Sequence, residues 1–202
     1  MTISRRDFLL RSALYGGAVW AAVNVPRPRA LAAAAASATP AVLTPGQWRL
    51  VEAITGRIIP SDDEPGAVEA GVVNFIDKAL AHEDAALAPV YAAGLAGIDA
   101  VAAKRFRKPF VALGAGEQDE ILAVLESGKA AGWPEGPVGA GDFFAAVRAH
   151  TVFGFLADPS YGGNRGWVGW KVVGYPGRQH HRGGYTAPQM LGTEPIVPVW
   201  KS

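Results

Sequence analysis

"TPGQWRLVEAITGRIIP", residues 44–60, decides the fold class. Thr44 followed three residues later by Gln47 has the form of a capping box, and Pro45 suits the first helical position because its missing N–H would have no partner there. Trp48, Val51, Thr55 and Ile58 then recur along one face at helical spacing, and Pro60 stops the run. Outward from this helix, "SDDEPGAVEAGVVNFIDKALA" (61–81) predicts a second one, with acids at its start and an apolar face at Val72, Phe75 or Ile76, Ala79 and Leu80. Leu87 to Phe106 is an alanine-rich third helix carrying Val90, Leu95, Ile98, Val101 and Phe106. It ends in Lys104, Arg105, Arg107 and Lys108, where cations suit a helix C-terminus, and Pro109 closes it. "EQDEILAVLESG" (117–128) is a shorter fourth helix stopped by Gly128. After the loop "GWPEGPVGAG" (132–141), a fifth runs from Asp142 to about Leu156 with Phe143, Phe144, Val147, Phe153 and Phe155. No stretch alternates with a period of two, and no glycine loop follows a strand. The expected fold is all-α, a small bundle of about five helices in one domain, residues 44–157.

The flanks differ in texture. "SRRDFLLRSALYGGAVWAAVNVPRPRALA" (4–32) has a basic opening, an apolar middle from Ser12 to Val25 and a small-residue exit, the plan of an export signal. Its apolar stretch is about 14 residues, short of the roughly 20 that a spanning helix needs. Ser4, Arg5, Arg6, Asp7, Phe8 and Leu9 match the twin-arginine signature, which marks export of already folded proteins. Residues 33–43 form an alanine-rich linker; the export signal is read as residues 1–32, with cleavage after Ala38 as the alternative. Beyond the helices, residues 158–202 hold nine glycines, five prolines and six Trp or Tyr residues, without helical period. Such long loops are functional or disordered, and the aromatic content argues for order against a surface.

Composition removes several classes of chemistry. The 202 residues include no cysteine, so disulfides, thiolate metal sites and a cysteine nucleophile are excluded. Beyond the first 32 residues, 14 basic and 17 acidic side chains remain, giving no general electrostatic reason to expect nucleic-acid binding. Gly163, Gly166 and Gly169 lack the spacing of a dinucleotide or phosphate-binding loop. The adjacent pair His180 and His181 has no third ligand at a metal-binding spacing. Asp62, Asp63 and Glu64 lack the pattern of a calcium loop and are read as helix-capping acids; Arg57, paired with Asp62 or Asp63, would fix the turn. His150 is read as a partly buried, hydrogen-bonded helix residue. No catalytic, cofactor-binding or metal-binding residue is assigned.

What remains is "YGGNRGWVGWKVVGYPG" (161–177). Rigid rings offer contact area at low entropy cost, and glycine permits close backbone approach. Trp, Tyr and Arg are also enriched at binding hot spots. Tyr161, Asn164, Arg165, Trp167, Trp170, Lys171 and Tyr175 are therefore expected to contact a protein partner, within a partner-wrapping segment 158–202. A sugar platform would call for more Asp, Glu or Asn around the rings.

Together, the twin-arginine leader, "RIIPSDDEPGAVEAGVVNFID" (57–77) and "GFLADPSYGGNRGWVGWKVVGYPG" (154–177) resemble the gluconate 2-dehydrogenase subunit 3 family. The resemblance implies a non-catalytic small subunit that binds no cofactor itself. Its implied partners are a large FAD-containing dehydrogenase subunit that oxidises a sugar, sugar acid or polyol, and a multihaem cytochrome c subunit that carries electrons away. It further implies a place in the periplasm at the inner membrane, with membrane association through the complex, and an escort role in which this leader exports the flavoprotein. The alternative is a self-contained periplasmic enzyme or small-molecule binding protein, with His150, Arg165 and Asp62 to Glu64 converging on a pocket.

Overall fold

The computed structural model describes residues 40–179 and 183–201, and all regular structure within them is helical. The leader residues Arg5, Arg6, Phe8 and Leu9, and the pair His180 and His181, lie outside the described residues. Five main helices are present as expected: α1 (Pro45–Ile58), α2 (Val72–Ala81), α3 (Ala88–Phe106), α4 (Ala115–Glu126) and α5 (Ala140–Leu156). Two short ones follow, α6 (Val168–Val173) and α7 (Ala187–Met190), so the C-terminal segment is less irregular than its composition implies.

The capping box of α1 forms as its sequence dictates: Thr44 Oγ1 accepts from Gln47 N at 3.2 Å, and Thr44 N donates back to Gln47 Oε1 at 2.9 Å. The buried face of α1 is Leu50, Val51, Ile54 and Thr55, rotated from the expected stripe; Trp48 and Ile58 are half-buried at its edges. At the organising centre, α5 packs against each of α1, α2, α3 and α4. Phe143, Val147 and Phe155 of α5 meet Ile54, Ile76, Leu95 and Ile121 in one continuous core. The stretch Ala85–Phe106 reaches a mean hydropathy of 1.5, long and apolar enough to cross a membrane. Its alanines supply much of that value, while Tyr91, Leu95, Ile98 and Val101 are spent on the bundle interior.

Two expectations about the second helix are corrected. Helix α2 starts only at Val72, after Gly71 in the left-handed region, and residues 61–71 fold as turns. Asp62, Asp63 and Glu64 therefore cap nothing at α2; Asp62 Oδ1 instead accepts from Glu64 N at 3.0 Å, an Asx turn. Arg57 pairs not with Asp62 or Asp63 but with Asp119 on α4, through Nε and Nη2, both at 2.7 Å. A bidentate fork across 62 residues of sequence satisfies guanidinium geometry better than a short-range turn contact.

The edge of the domain is also set by a carboxylate. Asp77, buried on α2, accepts backbone N–H groups from Ala41 (2.6 Å), Val42 (3.0 Å) and Leu43 (2.8 Å). Leu43 joins the core beside it, so residues 41–43 belong physically to the helical domain rather than to the preceding linker.

Candidate functional site

Helix α5 ends at Leu156, and an α-helix leaves its last carbonyls without intrahelical partners. The glycine- and aromatic-rich stretch supplies them. Trp170 Nε1 donates to Leu156 O at 2.7 Å, and Asn164 Nδ2 donates to Ala157 O at 2.8 Å. The same Asn164 side chain accepts from Gly169 N at 2.8 Å through Oδ1, so one fully buried amide ties the end of α5 to the start of α6. Asn164 sits at φ 46°, in the left-handed region that asparagine tolerates better than most residues.

Two glycines make this approach possible. A Cβ on Gly163 would lie 2.1 Å from Gly154 O, and one on Gly169 would lie 1.7 Å from Phe155 O. Backbone thus packs directly on backbone along the last turn of α5. Trp170, 5 % exposed, stacks edge-on against Tyr175 with ring centroids 5.1 Å apart. The expectation that Asn164 and Trp170 present side chains to a partner is therefore corrected: both are consumed inside the chain, capping α5. Composition marks a segment that needs close backbone approach and large rings, but it does not say which surface is approached.

The other five residues of the set are not buried. Tyr161, Arg165, Lys171 and Tyr175 are exposed, and Trp167 is half-buried and outside the hydrophobic core. Trp167 holds φ 58° directly after Gly166 at φ 63°. A left-handed conformation costs a non-glycine residue roughly 1–2 kcal/mol, so the fold keeps the ring in place against a local preference. Arg165 is fixed through its backbone, donating N–H to Ala70 O at 2.9 Å, and its guanidinium lies over Gly71. Among the described residues no carboxylate pairs with Arg165 or Lys171; Lys171 Nζ instead lies 5.9 Å from the ring centre of Trp200.

The structure does not gather the residues of the alternative pocket. His150 is buried, with Nδ1 2.7 Å from Tyr91 Oη and Nε2 3.3 Å from Asp84 Oδ2. This arrangement favours the tautomer in which Nε2–H faces the carboxylate and Nδ1 accepts from the phenol. Burial, and secondarily the Asp84 charge, pushes the Tyr91 hydroxyl well above its ordinary pKa, so Tyr91 stays a donor. Sequence reasoning anticipated a hydrogen-bonded His150, but not Tyr91 and Asp84, which come from different elements. A shallow groove elsewhere is lined by Arg49, Glu52, Ala53, Gly56, Arg57, Val68 and Val111, and neither His150, Arg165 nor the 62–64 acids line it. Among the described residues, no group of three or more His, Asp or Glu is placed to hold a metal ion.

A protein-family model described as gluconate 2-dehydrogenase subunit 3 matches residues 45–177, about two-thirds of the chain. The chain belongs to the gluconate 2-dehydrogenase subunit 3 family. The matched span begins at Pro45 of α1 and ends at Gly177, so it takes in the five-helix bundle and the entire cap on α5. Membership in a subunit family makes the chain an accessory component of a dehydrogenase complex. No curated protein and no solved structure matches the chain.

Proposed function

We propose that this subunit 3 chain is the non-catalytic small subunit of a periplasmic FAD-dependent dehydrogenase acting on CH–OH groups of sugars, sugar acids or polyols. In this reading the flavin belongs to the large subunit and haem c to a third, multihaem cytochrome subunit. The small subunit supports assembly and stability of the flavoprotein, and its twin-arginine leader carries the folded pair across the membrane. The observation that carries the reading is the outward face of the α5 cap. Tyr161, Arg165, Lys171 and Tyr175 are exposed in the same stretch of chain as Trp167, which is half-buried on a left-handed backbone. A tryptophan in a stretch that exposes two cations and two phenols has the composition of a binding hot spot. Because Asn164 and the Trp170 indole fix the backbone beneath it, the face is preorganised, which lowers the entropic cost of association.

The test is co-purification of the tagged full chain with the large subunit, read by the flavin absorbance spectrum. Wild type should bring down a flavin-bearing partner in fixed ratio, and Trp167→Ala should lose most of it while keeping its own helical signal. A Trp167→Ala chain that retains the full complement of flavoprotein would refute the contact face. Replacing Arg5 and Arg6 together by Lys should leave the flavoprotein in the cytoplasm; unchanged export would refute the escort role.

A further inference from the structure

Between α2 and the turn that precedes α6, hydrogen-bond donors gather along one seam. Gly71, Asn74 and Lys78 stand three and four residues apart at the start of α2 and along it, the spacing of a single helix face. The turn 162–165 lies against that face, with Arg165 N donating to Ala70 O at 2.9 Å. Gly71 has no side chain, and the Arg165 guanidinium uses the space: a Cβ there would lie 3.0 Å from Arg165 Nη2 and 3.0 Å from Asn74 Nδ2. Further along, Lys78 Nζ would lie 3.2 Å from a Cβ on Gly162. Asn74 Nδ2 donates one hydrogen to Gly71 O at 3.1 Å and keeps the other. The seam thus presents a guanidinium, an amide N–H and an ammonium, with about 6 Å of helical rise from Asn74 to Lys78.

Among the described residues no carboxylate pairs with Arg165 or Lys78. Two cations on one seam repel each other, and Arg165 stands at the N-terminal end of α2, where the helix dipole disfavours positive charge. Neither placement helps the isolated domain. The fold nevertheless holds Arg165 there, between the fully buried Asn164 and the bare backbone of Gly71. A cation fixed where it costs stability is preorganised for an anion from outside the chain. The donors form a line rather than a ring, which fits successive carboxylates of an acidic segment better than one small ion. An anionic bilayer needs only exposed charge, whereas Lys78 is half-buried with its stem laid along Gly162.

Resting on the proposed function, we propose that the Arg165–Asn74–Lys78 seam receives an acidic segment of the large dehydrogenase subunit. One carboxylate takes the Arg165 fork and the remaining Asn74 N–H, and a second takes the Lys78 ammonium. Both walls of the seam, residues 71–78 and 162–165, lie inside the span matched to the family, as contact with a partner common to such complexes requires. Arg165 is two residues from Trp167, so the charged seam and the aromatic stretch belong to one contact.

The experiment measures affinity between the full chain and its purified large subunit over a range of salt, comparing wild type, Arg165→Glu/Lys78→Glu, Asn74→Asp and a charge-matched control, Lys108→Glu/Lys129→Glu, at two exposed sites. Reversal of the seam should weaken binding at least about tenfold and flatten its salt dependence, while the control binds as wild type does. Asn74→Asp supplies a carboxylate from within, beside Arg165 and in the first turn of α2, so its own melting temperature should rise while its affinity for the large subunit falls about threefold or more. Those opposed changes separate recognition from damage to the fold. Seam variants that bind as tightly as wild type, or a control that weakens equally, overturn the seam proposal alone. Absence of any wild-type binding overturns the proposed function, and the seam proposal with it. Inorganic phosphate that raises the melting temperature of wild type but not of Arg165→Glu/Lys78→Glu, with dehydrogenase affinity equal in the two, reassigns the seam to a free anion and overturns the proposal. Flotation of wild type with phosphatidylglycerol vesicles, lost in the same variant while dehydrogenase affinity is unchanged, reassigns it to lipid with the same consequence.

Discussion

Replacing Asn164 by alanine probes the internal cap on α5 with a single amide. The native side chain makes two hydrogen bonds, to Ala157 O and from Gly169 N, and is fully buried. Removing both forfeits about 1 kcal/mol apiece, and stranding the buried Gly169 N–H adds roughly 1–3 kcal/mol. Alanine at φ 46° adds about 1 kcal/mol of backbone strain relative to asparagine. The expected loss is therefore about 4 kcal/mol, eased somewhat by water reaching the partly exposed Ala157 O. With a urea m-value of about 2 kcal/mol/M, the midpoint falls by about 2 M. Asn164→Gly loses the same bonds without the strain and should cost about 3 kcal/mol, so the gap between the two variants isolates the backbone contribution. Equilibrium urea unfolding followed by tryptophan fluorescence is the assay, since Trp170 sits in the cap. A stability for Asn164→Ala within about 0.5 kcal/mol of wild type would refute the reasoning, because no buried donor could then have been stranded.

The remaining predictions use neighbouring features. Gly169→Ala places a methyl 1.7 Å from Phe155 O and should cost about 3 kcal/mol in the same urea assay. Gly166→Ala meets nothing within 4 Å and carries only its φ of +63°, so about 1 kcal/mol is expected. Asp77→Ala strands the buried Leu43 N–H and frees Ala41 and Val42, costing about 2–4 kcal/mol; limited proteolysis should cut at residues 40–44 faster than in wild type. Tyr91 titrates well above 10 when folded. Its stabilising contribution is intact below the unfolded value near 10, and stability then falls by about 1.4 kcal/mol per pH unit as pH rises toward the folded value. Tyr91→Phe should abolish that alkaline slope in thermal or urea titrations.

Local chemistry was legible in the sequence and long-range partnership was not. Thr44, Pro45 and Gln47 fix the start of α1 because a capping box needs only residues three apart. The stretch 61–71 misleads because Ala67, Val68 and Ala70 have helical texture, yet Gly71 takes a left-handed turn and delays α2 to Val72. Arg57 finds Asp119 and Asp77 finds Ala41 to Leu43 only after folding, and nothing in their sequence neighbourhoods distinguishes these partners from nearer ones. In the segment after Asp158, the need for glycine and large rings was readable. The destination of Asn164 and Trp170 was not, because a glycine without a Cβ serves equally whether the approaching backbone is its own helix or another chain. One signal was present: α5 ends without a C-cap glycine, which leaves its terminal carbonyls open to side chains from elsewhere or to water.

Hydrogen–deuterium exchange of the full chain, alone and with its large dehydrogenase subunit, tests most directly whether the C-terminal face is where this subunit joins its complex. Protection on binding should appear at amides 165–175, with the groove lined by Arg49, Gly56, Val68 and Val111 unchanged. Protection confined to that groove, with the C-terminal amides exchanging as in the isolated chain, would contradict the account.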